Sequence, residues 1–180
     1  SGTGGPKNGM VMGFCSLLLF DFDYTLKDSS RGIVECINFA LKELGLPPVS
    51  AQRARRTIGL SLPDAFTQLA ERQDPSQSGE FARLFIEHAD QVMLDLTVLL
   101  DCVPETVASL KRCGLALGIL SNKFRYRVTG VLRRDKLLES FDVVVGAEDV
   151  AELKPAPEGL LLVIESLGSP ASSSLYVGDS

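Results

Sequence analysis

Two carboxylates directly follow the first apolar run of the chain. Asp21 and Asp23 come straight after the sequence LLLF at residues 17–20. Carboxylates at positions i and i+2, where a strand gives way to a turn, can converge on one site while the residue between them points away. One could attack phosphorus as a nucleophile, and the other could protonate a leaving oxygen and later activate water. An acidic turn that caps the next helix is the alternative, and this motif alone leaves both open.

A small hydroxyl ends the next apolar run of this kind. Ser121 and Asn122 follow residues 115–120 and precede a predicted helix. A hydroxyl and exposed backbone amides at the start of a helix can cradle phosphate oxygens. A serine that only caps the helix is the alternative.

A lysine and a third carboxylate complete the set of candidate residues. Lys154 precedes Pro155, whose fixed backbone could aim the lysine at an anion. Asp179 follows residues 174–177 and could, together with Asp21, hold a hard divalent cation such as Mg²⁺ through carboxylate oxygens. A solvent-exposed lysine and an ordinary turn are the alternatives.

The composition narrows the chemistry to carboxylates and argues against several classes of partner. The chain has 180 residues with 18 Lys and Arg against 23 Asp and Glu, and its isoelectric point of about 4.9 argues against a nucleic-acid partner. A single histidine, His88, disfavours a histidine metal cage or a Ser-His-Asp triad, and its charged neighbours predict a surface position. The apolar runs are too short to span a membrane. Four separated cysteines without a Cys-x-x-Cys pair are typical of buried thiols in a cytoplasmic protein.

The apolar pattern predicts the elements that position these residues. Residues 15–20 predict a buried strand, and beyond residue 98 strands alternate with helices. The further predicted strands span residues 115–120, 142–145 and 174–177, and the helices between them span residues 104–113, 124–138 and 157–167. This alternation predicts an α/β fold with a parallel sheet, which binds ligands at the carboxyl ends of its strands.

Residues 30–97 interrupt the alternation and predict helices only. Apolar residues recur at helical spacing after Ser30, a second helix opens at Ser61, and a longer one runs from Gly79. We therefore expect an α/β core that is interrupted by an all-helical insertion. The predicted organisation is a tag or disordered lead-in at residues 1–9, a discontinuous core at 10–29 and 98–180, and a helical cap at 30–97.

In their order and at these strand ends, the motifs resemble those of the haloacid dehalogenase-like hydrolase superfamily, specifically the phosphoglycolate phosphatase-like group with a helical cap. The resemblance extends over nearly all of the chain from Cys15 to Ser180, and the first motif stands here as DFDYTLKDS. It implies a Rossmann-like parallel sheet, a Mg²⁺ cofactor and a small phosphorylated metabolite as the partner, with no nucleic acid and no membrane.

The resemblance also implies a role for each candidate residue. Asp21 would be the nucleophile, and Asp23 would be the general acid/base and lend its backbone carbonyl to Mg²⁺. Ser121 would bind the phosphoryl group, and Lys154 would offset the negative charge. Asp179 would join Asp21 and Asp23 as a metal ligand.

These roles predict a phosphatase rather than a dehalogenase. Dehalogenation leaves no alkoxide to protonate, whereas cleavage of a phosphate ester benefits from an acid such as Asp23. We therefore expect hydrolysis of a small, phosphoglycolate-like phosphomonoester through an aspartyl-phosphate. A phosphomutase of the same superfamily and a non-catalytic module with this fold are the alternatives.

Substrate selection is expected in the helical insertion. Residues 57–62 resemble the cap loop that faces the active site in phosphoglycolate phosphatases. Arg53, Arg55 or Arg56 could meet a substrate anion there, although a glycine-ended helix with a solvated arginine face is the alternative. The full set of expected substrate-binding residues is Thr25, Asn122, Gly59 and Arg56.

Two positions depart from the family pattern. Tyr24 occupies a place where glycine is frequent in the family, which affects how the cap meets the core. The fourth motif stops at Ser180, before its second acid and before another strand and helix. We therefore expect a truncated product of a longer gene or a shortened relative, with an exposed strand edge that could pair copies of the chain into a homo-oligomer.

Overall fold

The structure is a computed structural model and describes residues 15–71 and 74–179. The predictions for residues 1–14 and for Ser180 lie outside the described residues. Within the described ranges, no helix is both long and apolar enough to cross a membrane. In chain order the elements are β1 (Leu17–Phe20), β2 (Lys27–Asp28), α1 (Ser30–Glu43), α2 (Ala51–Arg55), α3 (Leu62–Ala70), α4 (Pro75–Leu96), β3 (Val98–Leu99), α5 (Val103–Arg112), β4 (Ala116–Leu120), α6 (Arg125–Arg134), β5 (Val143–Val145), α7 (Glu158–Ser166) and β6 (Ser174–Val177).

Four parallel strands form the central sheet in the order β5, β4, β1, β6. β1 is buried along its whole length, because helices cover both faces of a parallel sheet. Its residues alternate between these faces: Leu18 and Phe20 pack with α5 and α6, whereas Leu17 and Leu19 pack with α7. The predicted α/β fold with a parallel sheet is therefore confirmed.

Strand β6 has one neighbour among the described strands. It pairs with β1, and Leu175 on it is 54% exposed. An edge of this kind can pair with another chain, so a homo-oligomer formed through it stays a prediction.

Helices α1 to α4, called here the helical segment, enclose an apolar core of their own. Phe66 of α3 and Phe81 of α4 are fully buried beside Ile37 of α1, with the two phenyl centroids 5.4 Å apart. Helix α4 begins at Pro75, earlier than predicted, because the Asp74 carboxylate accepts a hydrogen bond from a backbone amide of its first turn. The remaining elements are called the α/β segment.

The predicted surface position of His88 is only partly correct, because the side chain is half-buried. Its side chain is 17% exposed, and its ring stacks on Phe39 with the two ring centroids 4.0 Å apart. His88 Nε2 also lies 3.4 Å from Glu35 Oε1. The sequence pattern missed this position because it shows the charged neighbours of His88 on α4 but not the packing of α1 against it.

Two short connections join the helical segment to the α/β segment, and they pair with each other as antiparallel β2 and β3. Lys27 of β2 is fully buried and pairs with Asp135, which directly follows α6. Arg134 donates hydrogen bonds to Asp135 and, at 2.8 Å, to the Thr97 carbonyl. Burial lowers the pKa of Lys27, and the hydrogen bond from Arg134 is the main cause that lowers the pKa of Asp135. No sequence pattern predicted this junction.

The four cysteines are all free thiols, but they are not all buried. Cys36 is buried and Cys15 is partly buried, whereas Cys102 and Cys113 are exposed. The expectation of buried thiols is therefore wrong for the last two. Both lie at the ends of α5, where one side of the chain faces water.

Candidate active site

A cavity of about 1070 Å³ lies between the helical segment and the carboxyl ends of the sheet strands. Asp21 and Asp23 follow β1, Ser121 follows β4 and Asp179 follows β6, and all four line this cavity. Lys154 lines it as well. Parallel strands end at the same edge of the sheet, so residues that are far apart in the sequence meet there.

Asp21 is held in place by its backbone and by one carboxylate oxygen. Its backbone amide donates to the Val177 carbonyl at 2.8 Å, which ties it to β6. Its Oδ1 accepts a hydrogen bond from the Phe22 amide at 2.6 Å and forms an ion pair with Lys154 Nζ at 2.8 Å. Among the residues that the structure describes, none donates a hydrogen bond to Oδ2.

Lys154 is positioned by Asn122. The side-chain amide nitrogen of Asn122 donates to the Lys154 carbonyl at 3.1 Å, and its oxygen accepts from the Lys154 amide at 2.9 Å. Asn122 lines the cavity, but both ends of its amide are occupied by the backbone of Lys154. These contacts make Asn122 a positioning residue for Lys154, and its predicted contact with substrate stays a prediction.

Tyr176 makes a second contact with the same lysine. Lys154 Nζ donates to the Tyr176 hydroxyl at 2.9 Å and lies 5.6 Å from the centroid of the ring. Tyr176 was not among the predicted site residues, because its position inside β6 is typical of a packing residue. Only the pairing of β6 with β1 places it beside the lysine.

Asp23 pairs with a lysine that the sequence analysis did not assign. Lys123 Nζ lies 3.1 Å from Asp23 Oδ1, and the two side chains are 11% and 21% exposed. Lys123 Nζ also lies 5.7 Å from the centroid of the Phe22 ring. The available signal was the place of Lys123 directly after Ser121 and Asn122 at a strand end.

Ser121 is buried at the end of β4 and is not the cap of α6. Its amide donates to the Val145 carbonyl at 3.0 Å, and its Oγ accepts from the Lys123 amide at 3.1 Å. Helix α6 begins only at Arg125. The hydroxyl therefore orders the loop and, as a donor, remains able to bind an anion in the cavity.

The expected phosphate cradle at the start of α6 is occupied by a carboxylate of the protein itself. Glu148 accepts hydrogen bonds from the backbone amides of Arg125 at 2.7 Å and Tyr126 at 3.4 Å. The expectation of a phosphate cradle is therefore wrong for the first amides of α6, and it stays a prediction for Ser121 and Asn122. The sequence could not show that Glu148 folds back onto the amides of α6.

Thr25 contributes a buried hydroxyl without a partner. In the part of the chain that the structure describes, its Oγ1 is the buried side-chain oxygen that has no hydrogen bond. A buried hydroxyl of this kind is costly unless a ligand or water satisfies it. This observation is compatible with the predicted binding role of Thr25.

In the helical segment, the structure selects a different arginine from the predicted one. Arg55 lines the cavity, whereas Arg56 is exposed and lies outside its lining. Arg53 donates to the Leu69 carbonyl at 3.1 Å and to Glu71. The prediction of Arg56 is therefore corrected to Arg55, because successive residues at the end of α2 point in directions about 100° apart. Gly59 lines the cavity as expected, with φ +94°.

Tyr24 lines the cavity with a left-handed backbone, at φ +59°. Burial is the main cause that raises the pKa of its hydroxyl, and the negative charge of Asp28 adds to the effect. Asp28 itself has a lowered pKa, first because of its hydrogen bond with Ser30 and also because of the nearby positive charge of Arg55. The charge of Arg55 is therefore partly offset by Asp28.

Helix α6 also forms hydrogen bonds with α4 of the helical segment. Arg127 donates to Asp90 at 2.7 Å and to the Ile86 carbonyl at 2.8 Å, and the Tyr126 hydroxyl donates to Asp90 at 2.5 Å. Burial acts to raise the pKa of Asp90, but the hydrogen bonds from Tyr126 and Arg127 outweigh it and lower the pKa. Arg127 also lines the cavity, so these hydrogen bonds between the two segments lie next to it.

The chain is similar in sequence to known proteins. The sequence pattern of the family described as haloacid dehalogenase-like hydrolase matches residues 18–180. Phosphoglycolate phosphatase of Salmonella typhimurium is 32% identical in an alignment of 182 positions that covers 89% of this chain and 72% of the relative. Pyrophosphatase PpaX of Bacillus cereus is 32% identical over 162 residues, which cover 90% of this chain and 73% of the relative.

Solved structures agree with the sequence relatives. A haloacid dehalogenase-like hydrolase from Bacteroides fragilis has a TM-score of 0.87 and 40% identity, with coverage of 92% of this chain and 79% of that one. A protein from Haemophilus somnus, described as a predicted phosphoglycolate phosphatase, has a TM-score of 0.80 and 26% identity, with coverage of 92% and 77%. The chain therefore belongs to the haloacid dehalogenase-like hydrolase family, within which it is a phosphatase related to phosphoglycolate phosphatase.

Proposed function

We propose that the chain hydrolyses a small phosphomonoester through an aspartyl-phosphate on Asp21, with Mg²⁺ as cofactor. The observation that carries this proposal is the 2.8 Å contact between Asp21 Oδ1 and Lys154 Nζ at the end of β1. Since Oδ1 is already held by two donors, Oδ2 is the oxygen available to attack phosphorus. Phosphoryl transfer depends on such positioning and on cations that neutralise the phosphoryl oxygens.

The first half of the reaction transfers the phosphoryl group to the protein. Asp21 Oδ2 forms a bond to phosphorus while the bond from phosphorus to the ester oxygen breaks. Asp23 donates its proton to that oxygen, so the leaving group departs as an alcohol. Ser121 Oγ and Lys154 Nζ stabilise the negative phosphoryl oxygens.

The second half returns the protein to its starting state. Asp23, now a carboxylate, takes a proton from a water molecule, and the water oxygen bonds to phosphorus. The bond between phosphorus and Asp21 breaks, which releases inorganic phosphate. Lys123, 3.1 Å from Asp23, holds this carboxylate toward the cavity.

The residues present fit a magnesium ion. Asp21, Asp23 and Asp179 offer oxygen donors on one cavity, and Mg²⁺ binds through one or two carboxylates together with substrate oxygens and water. Within residues 15–71 and 74–179, no three His, Cys, Asp or Glu side chains are grouped so that they could hold a metal ion by themselves, so the proposed ion would need substrate oxygens and water as further ligands. When bound, Mg²⁺ supplies positive charge that stabilises the transferring phosphoryl group.

We also propose that residues 30–97 form a cap over a core at residues 10–29 and 98–180. The separate apolar core of α1 to α4 supports this division, as do the two connections at β2 and β3. A cap of this kind excludes water while the aspartyl-phosphate forms. A reducing, cytoplasmic location fits the free and exposed thiols of Cys102 and Cys113.

The proposal is tested by phosphate release from p-nitrophenyl phosphate and from phosphoglycolate, the compound in the name of the Salmonella relative. We expect turnover that requires Mg²⁺ and that Asp21→Asn reduces by at least about 1000-fold, because an amide is a poor nucleophile toward phosphorus. The wild-type chain, quenched during turnover, should carry the mass of one phosphoryl group on the peptide that contains Asp21.

The matched control is Asp101→Asn, which changes an exposed carboxylate outside the cavity lining. It should keep wild-type turnover. Undiminished turnover by Asp21→Asn, or phosphoryl label on another peptide, would refute the assignment of the nucleophile. Transfer of the phosphoryl group to a second hydroxyl of the substrate, without phosphate release, would identify a phosphomutase.

A further inference from the structure

The wall of the cavity that faces the phosphoryl site is apolar. Helices α1 and α4 and the loop after α2 supply it. Its main side chains are Ile33, Ile37, Ile58, Leu60, Phe85 and Met93. Leu60 is 46% exposed and stands in a loop that lines the cavity.

The polar groups of this wall, apart from Arg55, are bonded within the helical segment. The Thr57 hydroxyl donates at 2.8 Å to a backbone carbonyl three residues earlier. The Ser61 hydroxyl donates at 2.6 Å to Asp64 and accepts from the amide of the same residue. Arg55, the last residue of α2, adds a cation to the lining. A second anionic group of a substrate placed against the apolar side chains, away from Arg55, would therefore lose its water shell with little in return.

Tyr24 lines the same cavity as the apolar wall and the carboxylates. It follows Asp23 directly, lines the cavity and is 37% exposed. Its φ of +59° is strained for a residue with a side chain and easy for glycine. Strained residues at a cavity point to a function of the side chain that is lost when it is replaced by glycine.

We propose that the substrate is a phosphomonoester whose leaving group carries an apolar body, and that Tyr24 and Leu60 determine this specificity. The inference rests on the proposed function, since Asp21 and Lys154 fix the phosphoryl end. The alcohol part must then extend toward the helical segment, where the apolar side chains and the tyrosine ring cover it. A cavity of about 1070 Å³ lies at the upper end of the range for small-molecule sites and leaves room for such a body.

The test compares two esters of primary alcohols, 2-phenylethyl phosphate and phosphoglycolate, so that the reactivity of the leaving oxygen is similar. We expect kcat/KM to be about 100-fold higher for 2-phenylethyl phosphate. Leu60→Ser and Tyr24→Gly should each reduce this ratio by about tenfold, the effect of losing a single apolar contact in a binding pocket. Tyr24→Gly should keep a Tm at or above that of the wild type, because it relieves the left-handed strain.

Each variant has a matched control. Leu161→Ser changes another leucine, 56% exposed, outside the cavity lining. Lys136→Gly relieves another left-handed residue, at φ +58°, on the exposed surface. Both should keep the wild-type ratio. A higher kcat/KM for phosphoglycolate, or a ratio that neither Leu60→Ser nor Tyr24→Gly changes, overturns the inference.

Binding measurements separate the inference from the proposed function. Titration calorimetry with Mg²⁺ present compares 3-phenylpropylphosphonate with 3-phosphonopropionate, which mimic the two esters but cannot be hydrolysed. Tighter binding of the phenyl compound together with no hydrolysis of either ester would support the inference and refute the phosphatase mechanism. Hydrolysis of both esters with equal kcat/KM would refute the inference and support the phosphatase mechanism.

Discussion

The two walls of the cavity differ in how their side chains are bonded. On the side of the α/β segment, Asp21, Lys154 and Asn122 form a continuous chain of contacts between 2.8 and 3.1 Å. On the side of the helical segment, apolar side chains such as Leu60 and Ile58 face the cavity, and the polar groups bond within their own loop. One wall can fix the position of a charge, and the other, apart from Arg55, excludes water and matches a shape.

Because of this difference, the residues that carry out the chemistry are separate from those that select the substrate. A network in which each group holds the next keeps the nucleophile and the cation in one geometry. An apolar wall discriminates weakly between substrates of similar shape but can change without disturbing the reacting groups. Relatives with equal identity but different names, a phosphoglycolate phosphatase and a pyrophosphatase, are compatible with this division.

After loss of the nucleophile itself, the largest effect should come from loss of the cation of the polar wall. We expect Lys154→Met to lower kcat by about 100- to 1000-fold, because it removes charge stabilisation from the phosphoryl oxygens and from Asp21. Steady-state kinetics with p-nitrophenyl phosphate measure this. Lys136→Met, at an exposed lysine outside the cavity lining, is the control. Equal losses in the two variants would show that the polar wall does not control the chemistry.

The next effect concerns the junction between the two segments. Asp135→Asn should lower the free energy of unfolding by about 3 kcal/mol at pH 7, because Lys27 is left as a buried charge without its carboxylate. The folded pKa of Asp135 lies below its ordinary value of 3.8, so its contribution is present above that pH and is lost as the pH falls through the folded pKa. Urea denaturation should therefore show a smaller difference from the wild type at pH 3 than at pH 7. A difference that is the same at both pH values would contradict the charge pairing.

Two asparagines with equivalent backbone contacts, one in each segment, allow a direct comparison of the segments. Asn122 makes two hydrogen bonds to the backbone of Lys154, and Asn38 makes the same two-point contact with the backbone of Val49 in the helical segment. Asn122→Ala should lower kcat by about tenfold or more, because the lysine loses its position. Asn38→Ala should lower Tm but leave kcat unchanged. If both variants changed only Tm, Asn122 would have a structural role without an effect on the chemistry.

The smallest effect should distinguish two neighbouring arginines. Arg55→Met should raise KM for a phosphomonoester two- to fivefold at low salt, because a partly exposed cation is removed from the cavity lining. Arg56→Met should leave KM unchanged. The difference should shrink at high salt, where exposed charges are screened. A larger effect from Arg56 would restore the original sequence prediction.

Much of the fold was predictable because its pattern is local. The apolar runs before Asp21, Ser121 and Asp179 all become strands of one parallel sheet. Continuous apolar runs separated by helical periodicity determine such strands without reference to distant residues. The beginning of α4 was missed for a local reason too, since the cap at Asp74 precedes the apolar pattern.

Site residues were predictable from the sequence where they lie at the end of a strand. They were not predictable where a contact between distant parts of the chain determines their role. The sequence motifs pointed to Asp21, Asp23 and Ser121, and the cavity includes all three. Nothing in the sequence pairs Lys123 with Asp23, since the two lie 100 positions apart. The choice of Arg55 over Arg56 depends on the rotation of a five-residue helix that periodicity does not resolve.

The sequence by itself determined the fold class, the family and the order of the candidate groups along the chain, because strand periodicity and short motifs are properties of neighbouring residues. Only the tertiary structure decided what each group contacts. It assigned the Asn122 amide to the backbone of Lys154, placed Glu148 on the first amides of α6, and set Tyr24 in a left-handed conformation beside the cavity. These outcomes depend on how separate elements pack, and the packing free energy is shared among residues that no local pattern brings together.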